Sequence, residues 1–254
     1  MPGVCIPGRA IRMGSVALCL ALTFIITLPR VASAQAPTDG EVRQLVSFTF
    51  LPGRSADALT LYRERAVPLY REDEHLISFR AFREAESPVP VDLVIVRAFD
   101  GLAGMDRSGE RLREVAAEQG TSVGGLYGEI AALSTGHTDE FVEMLPELGG
   151  GDPSVSRLSV FVRLRLSPRG RAEAVEALRT LAAWERDEGI AVSTGRFLIA
   201  DGWDYLRVLG FESLGDFQVY LERVRDAPGH AALDALVAER RVMVLPAVRG
   251  LAIR

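Results

Sequence analysis

The 254-residue chain has no lysine: all 29 of its basic residues are arginine. Lysine supplies the amine of Schiff-base catalysis and the phosphate-gripping side chain of a Walker-type loop, so both chemistries are excluded. Cysteine is nearly absent as well, and Cys5 and Cys19 both fall within the first 34 residues. Beyond residue 34 the chain has no disulfide, no thiolate metal ligand and no thiol nucleophile. Histidine occurs three times, at His75, His137 and His230, with no HExxH and no pair one helical turn apart. No metal site is expected from that spacing, and nothing in the sequence calls for a cofactor.

What is present begins with a leader pattern. Arg9 and Arg12 precede an apolar run from Val16 to Leu28, followed by Val31-Ala32-Ser33-Ala34. A basic start, a short apolar core and small residues before the cut describe a signal peptide over 1–34, removed after Ala34. The run is short of the ~20 residues that span a bilayer. Cys19 follows Leu18 and lies inside the apolar core, which argues against lipoprotein processing. The expected location is secreted or periplasmic, with no stable membrane anchor after cleavage. The leader contains three arginines and no acid, so the remainder has 26 basic against 34 acidic residues. Affinity for nucleic acid comes mainly from phosphate neutralisation, and an acidic chain is a poor nucleic-acid partner. The partner expected instead is a small-molecule ligand.

The remaining ~220 residues read twice, with the same order of elements each time. Val46–Phe50 alternates apolar and polar residues as a half-buried strand does. A helical stripe of Leu59, Tyr62, Ala66 and Leu69 follows, then strands over 76–82 and 92–99 and a second helical region. Downstream, a strand over 160–166 precedes a stripe of Ala174, Leu178, Leu181 and Ala182, then strands over 191–199 and 204–211. Pro52 matches Pro168 and Arg63 matches Arg179 at one spacing, while Asp92 matches Asp204 and Phe99 matches Phe211 at another. Each copy reads β-α-β-β-α-β, the ferredoxin-like order, which covers one sheet face with helices and leaves the other bare. Two copies in one chain cover each other's bare face. The fold class is therefore α+β: tandem ferredoxin-like units over 35–148 and 156–254, packed sheet to sheet as an intramolecular pseudo-dimeric barrel. The glycine-rich stretch 149–155 reads as the linker. A barrel completed within one chain implies a monomer.

The run Leu61-Tyr62-Arg63-Glu64-Arg65-Ala66-Val67-Pro68-Leu69-Tyr70-Arg71-Glu72 is similar to the first helix of NIPSNAP-like proteins. Phe99-Asp100-Gly101-Leu102 and Phe211-Glu212-Ser213-Leu214 resemble the strand-to-helix junctions of the dimeric α/β-barrel superfamily. That resemblance implies a fused two-copy barrel. Its members include cofactor-independent monooxygenases, isomerases, haem-handling enzymes and proteins of unknown activity. Haem-binding members use a histidine, and none of the three here matches such a motif. Gly124, Gly125 and Gly128 read as a loop interrupting a helix.

Candidate site residues come from strand parity. If Val162, Leu164 and Leu166 face the helices, Arg163 and Arg165 face the barrel interior, as do Ser47 and Thr49 in the first copy. Ile95, Arg97 and Phe99 share a face, matched by Arg207, Leu209 and Phe211. With the first and third strands adjacent, Arg163, Arg165 and Arg207 are expected to gather in the barrel, with Tyr205 near them and Arg97 as the first-copy counterpart. A buried arginine needs a counter-charge, either an internal carboxylate or a bound anion. Three functions follow from that choice: a binding protein for a small anionic organic ligand between the units, a cofactor-independent monooxygenase or isomerase, or a non-catalytic structural or interaction protein with a filled barrel.

Overall fold

Phe48 and Phe50 lie on one side of the first strand and Leu45 and Ser47 on the other, and this two-sidedness organises the molecule. The computed structural model describes residues 40–83, 91–168 and 170–253, which belong to one unit, Ala36–Arg254. The expected leader lies outside the described residues. The first strand, β1, runs over Glu41–Phe50. A helical stretch follows as α1 (Ser55–Leu61), a π-helical turn (Tyr62–Ala66) and α2 (Val67–Arg71). The expected stripe of Leu59, Tyr62, Ala66 and Leu69 is buried along its whole length.

Two strands, β2 (Leu76–Phe82) and β3 (Leu93–Asp100), lead into α3 (Gly101–Glu118) and α4 (Val123–Ala131). The glycines at 124, 125 and 128 thus sit inside a helix. Ser122 caps it by accepting a hydrogen bond from the Gly125 backbone N–H at 3.0 Å, and Leu126 and Ile130 anchor it. Strand β4 (Ser134–Met144) completes the first run of elements. The second run is β5 (Leu158–Leu166), α5 (Arg171–Asp187), β6 (Ala191–Ile199), β7 (Tyr205–Phe211), α6 (Leu214–Arg223), α7 (His230–Leu236) and β8 (Val237–Ile253).

The eight strands close into an antiparallel barrel in the order β1-β3-β2-β8-β5-β7-β6-β4. The order β4-β1-β3-β2 in the first run is repeated as β8-β5-β7-β6 in the second. The two runs meet edge to edge through the β2·β8 and β4·β6 ladders, so closure removes every free edge of the sheet. The stretch 149–155 is tied down: Gly150 pairs with Val192, and a Cβ on Gly210 would lie 2.9 Å from the Pro153 Cα.

Period-two alternation sorts the apolar residues into three clusters. Val46, Phe48, Phe79, Ile95 and Phe99 face outward onto α1–α4. Val160, Leu164, Leu178, Leu181 and Leu209 form the matching cluster against α5–α7. Leu45, Val94, Val142, Phe161, Leu206 and Met243 point inward and fill the middle of the barrel. Removing one fully buried Phe from such a cluster costs about 3–5 kcal/mol.

Candidate functional site

The expected arginine group is divided by the sheet. Arg163 faces the barrel interior as anticipated, where its Nη2 lies 2.6 Å from the Glu140 Oε2 with both side chains almost wholly buried. Arg207 points the other way. In the β5·β7 ladder Arg207 stands opposite Val162 and Arg163 opposite Leu206, and directly opposed residues share a face. Arg207 is therefore on the helix-facing side, paired with the fully buried Glu185 of α5, whose other oxygen accepts from the Tyr220 hydroxyl at 2.7 Å. Arg165 sits at a barrel mouth, 42% exposed, with its Nη1 2.7 Å from Glu239 and its guanidinium 5.0 Å over the Trp203 ring. Tyr205 packs into the helix-facing core of the second run. The four residues share no common space.

Arg97 is the exception among the helix-facing arginines. It projects from β3 toward α3 and α4, its guanidinium 5.6 Å from the Tyr70 ring centre and 5.8 Å from that of Phe99. It donates to the Tyr127 hydroxyl at 3.1 Å and to the Gln44 side-chain oxygen. Gln44 in turn donates to Asp139 at 2.6 Å, and the Tyr70 and Tyr127 hydroxyls are 2.7 Å apart. No ion pair reaches Arg97 among the described residues. Its charge is held by neutral acceptors and ring faces, which stabilise a cation less than a carboxylate does.

A cavity of about 600 Å³ opens beside Arg97, under α3 and α4. Its walls include Phe99, Met105, Leu112, Val123 and Phe141, and its charged lining residues are Arg97 and Arg113, with no carboxylate among them. Gly109 and Gly124, one on each helix, leave the space beside those walls free of a Cβ. Burial pushes the Tyr62 and Tyr70 hydroxyls well above the usual phenol range. These two tyrosines stay protonated and cannot serve as general bases. Neither tyrosine lines the cavity itself, whose charged residues are the donors Arg97 and Arg113 beside an apolar wall.

Arg97 was singled out as part of the barrel group, but it faces the helices instead; Tyr127, Gln44 and Arg113 were not singled out. The stripe Val123, Leu126, Tyr127 and Ile130, at helical spacing behind the Ser122 cap, is the signal that locates α4 and with it Tyr127.

The histidines do not fit a haem. An axial imidazole must face an open apolar slot. His137, in β4, stacks on Phe48 at 5.5 Å and lies 3.3 Å from Asp139. His75 sits in the turn before β2, beside Glu74. His230 borders a pocket whose lining also holds Arg207, Arg225 and Arg240, so it does not face an uncharged apolar slot. Among the described residues no three His, Cys, Asp or Glu side chains converge as a metal site.

No protein-family model matches the sequence, and no curated protein matches it. Among solved structures, the chain is similar to a monooxygenase-like protein from Fusobacterium nucleatum, with 8% identity, 83% of this chain and 93% of that one covered, and a TM-score of 0.62. It is also similar to an anthrone oxidase-like protein, with 14% identity, 85% and 93% covered, and a TM-score of 0.55. A chlorite dismutase from Candidatus Nitrospira defluvii follows with 10% identity, 84% and 92% covered, and a TM-score of 0.53. These neighbours belong to the dimeric α/β-barrel superfamily. At such identities the likeness is one of fold: the chain has the dimeric α/β-barrel, ferredoxin-like architecture.

Proposed function

We propose that this is an exported binding protein for a small organic anion, seated under α3 and α4 with its charge on Arg97. One contrast carries the reading. Arg163 and Arg207 each have a buried carboxylate of their own, whereas Arg97 faces a 600 Å³ cavity whose charged lining residues are arginines. A cation at an apolar pocket in an acidic chain is where an anion gains most from a forked hydrogen bond. The apolar walls select an aromatic or alicyclic body. The ligand thus sits beneath the helices of the first run rather than between the two runs. The repeated strand order supports reading the chain as two fused copies, NIPSNAP-like in the first helix, and the leader pattern supports export.

A second reading uses the same pocket. Arg97 and Tyr127 are placed to stabilise an enolate or phenolate, which suits a cofactor-independent monooxygenase or isomerase, and the fold neighbours include proteins with monooxygenase-like and anthrone oxidase-like names. The described residues lining the cavity include no carboxylate or imidazole to take a proton, which favours binding over proton abstraction. A structural role with a merely filled barrel is the least supported, because the cavity under α3 and α4 lies outside the barrel.

The test is native mass spectrometry of the protein from its own host's exported fraction. A retained small molecule that is lost in Arg97→Gln and kept in Arg165→Gln is the expected result. A ligand unaffected by Arg97→Gln overturns the assignment. Oxygen uptake with quinol substrates that depends on Arg97 moves the conclusion to the monooxygenase reading.

A further inference from the structure

The cavity under α3 and α4 holds a second cation that has no part in anchoring a monoacid at Arg97. Arg113 lies one helical turn beyond Gly109 on α3, and both residues line the cavity. Residues four apart share a helix face, and long side chains lean back toward the helix N-terminus. Arg113 follows that rule: a Cβ on Gly109 would lie 4.0 Å from its Nη1. The guanidinium is thus folded back along the helix face that lines the cavity, and glycine at 109 leaves it room there.

The two arginines stand on opposite walls at different depths. Arg97 is half-buried on the sheet, whereas Arg113 is exposed on the helix. Arg97 already donates to Tyr127 and Gln44, and a guanidinium has further N–H groups to give. No hydrogen bond or ion pair holds Arg113 among the described residues. Asp73 and Asp139 stand behind the lining, where they accept from the Ser108 hydroxyl at 2.5 Å and the Gln44 amide at 2.6 Å, and neither is part of it. Beside the arginines the walls are apolar, with Phe99, Leu112 and Val123. Taking the Arg97 pocket as the ligand site, we propose that its ligand is a diacid: an aromatic or alicyclic body with one carboxylate on Arg97 and a second on Arg113 at the opening. A monoacid answers the inner cation and leaves Arg113 to water, so Arg113 is the residue that separates diacids from monoacids.

Isothermal titration of the full chain with benzoate, isophthalate and terephthalate at neutral pH tests this. At least one of the two diacids is expected to bind about tenfold more tightly than benzoate, the scale of one charge-assisted hydrogen bond at a partly exposed site. Arg113→Gln removes that advantage and leaves the benzoate Kd within about twofold, which also shows that the variant is folded. Arg97→Gln weakens all three. Equal affinities for monoacid and diacids in the wild type, or a diacid advantage that survives Arg113→Gln, overturns the diacid assignment and leaves the Arg97 pocket standing. Benzoate binding that Arg97→Gln does not change, or a flat titration with all three acids, overturns the pocket and the diacid with it.

Discussion

At the scale of single residues, Arg207 and Arg165 differ in how their charge is answered. Arg207 is 4% exposed and depends on Glu185, which is 0% exposed. Replacing Glu185 by Ala leaves a buried cation and an orphaned Tyr220 hydroxyl, and should cost about 3–5 kcal/mol in urea unfolding. Arg165→Gln breaks an exposed pair and should cost under about 1 kcal/mol. His230 gives a pH signature. Burial holds its pKa below the usual imidazole value, so the folded state binds fewer protons than the unfolded one as pH falls through about 6.5. Stability is present above that range and drops as the unfolded imidazole charges. His230→Gln should flatten that limb of Tm against pH, and an identical slope in the variant would remove His230 as its source. Glu140 has the opposite sign. Burial, outweighing Arg163 and Arg241, lifts its carboxyl above the usual range, so stability declines as pH rises through the carboxylate region toward its folded value. Strand parity alone placed Arg163 and Arg165 on the barrel side. The error shared by Arg207, Tyr205 and Arg97, all of which face the helices, has a definite cause. A period of two fixes which residues of one strand share a face, but the phase between neighbouring strands is set by register, which no single strand encodes.

At the scale of elements, β2 and β6 span the same residues that the sequence assigned to them. Helix α4 and strand β4 were hidden for different reasons. Three glycines weaken α4's helix propensity, and its stability rests on the Ser122 cap and on the burial of Leu126 and Ile130. The first half of β4, from Thr135 to Asp139, is exposed and lacks the apolar alternation that marks a half-buried strand. Yet Thr138, Asp139 and Glu140 stand opposite Ser47, Val46 and Leu45 in the β1·β4 ladder. That pairing is what brings Asp139 to Gln44 and Glu140 to the barrel floor. A prediction separates the glycines of α4. A Cβ at Gly128 meets nothing within 4 Å, whereas one at Gly125 lies 2.8 Å from the Ser122 Oγ. Gly128→Ala should stabilise by about 0.4–1 kcal/mol through reduced unfolded-state entropy. Gly125→Ala should give no gain or a loss, because the new methyl displaces the cap. Equal stabilisation by both in thermal unfolding would show that the Ser122 cap contributes nothing.

At the scale of the molecule, closure depends on the two seams where the runs of strands meet. Their existence follows from the duplicated element order, since two four-stranded sheets with the same strand order present the edges β2, β4, β6 and β8 to one another. Their chemistry was not legible, because the seams are made by long-range register. The β4·β6 seam is tight at Gly195, where a Cβ would lie 2.4 Å from the Val142 Cγ1 and 2.7 Å from the Glu143 backbone oxygen. Neither atom can yield cheaply: Val142 is fully buried in the barrel core, and Glu143 stands opposite Arg196 in the ladder. Its carboxylate also holds the Arg196 guanidinium at 2.6 Å across the seam. Gly195→Ala should therefore force the strands apart and cost about 1–3 kcal/mol, the range of an overpacked core. Arg196→Gln, which removes only the ion pair, should cost well under that. Hydrogen exchange distinguishes the two. With Gly195→Ala, the amides of β4 and β6 should lose protection while those of β1 and β3 keep it, because a seam can open without unfolding the sheet on either side. Uniform loss across all eight strands would mean that the barrel opens only by global unfolding.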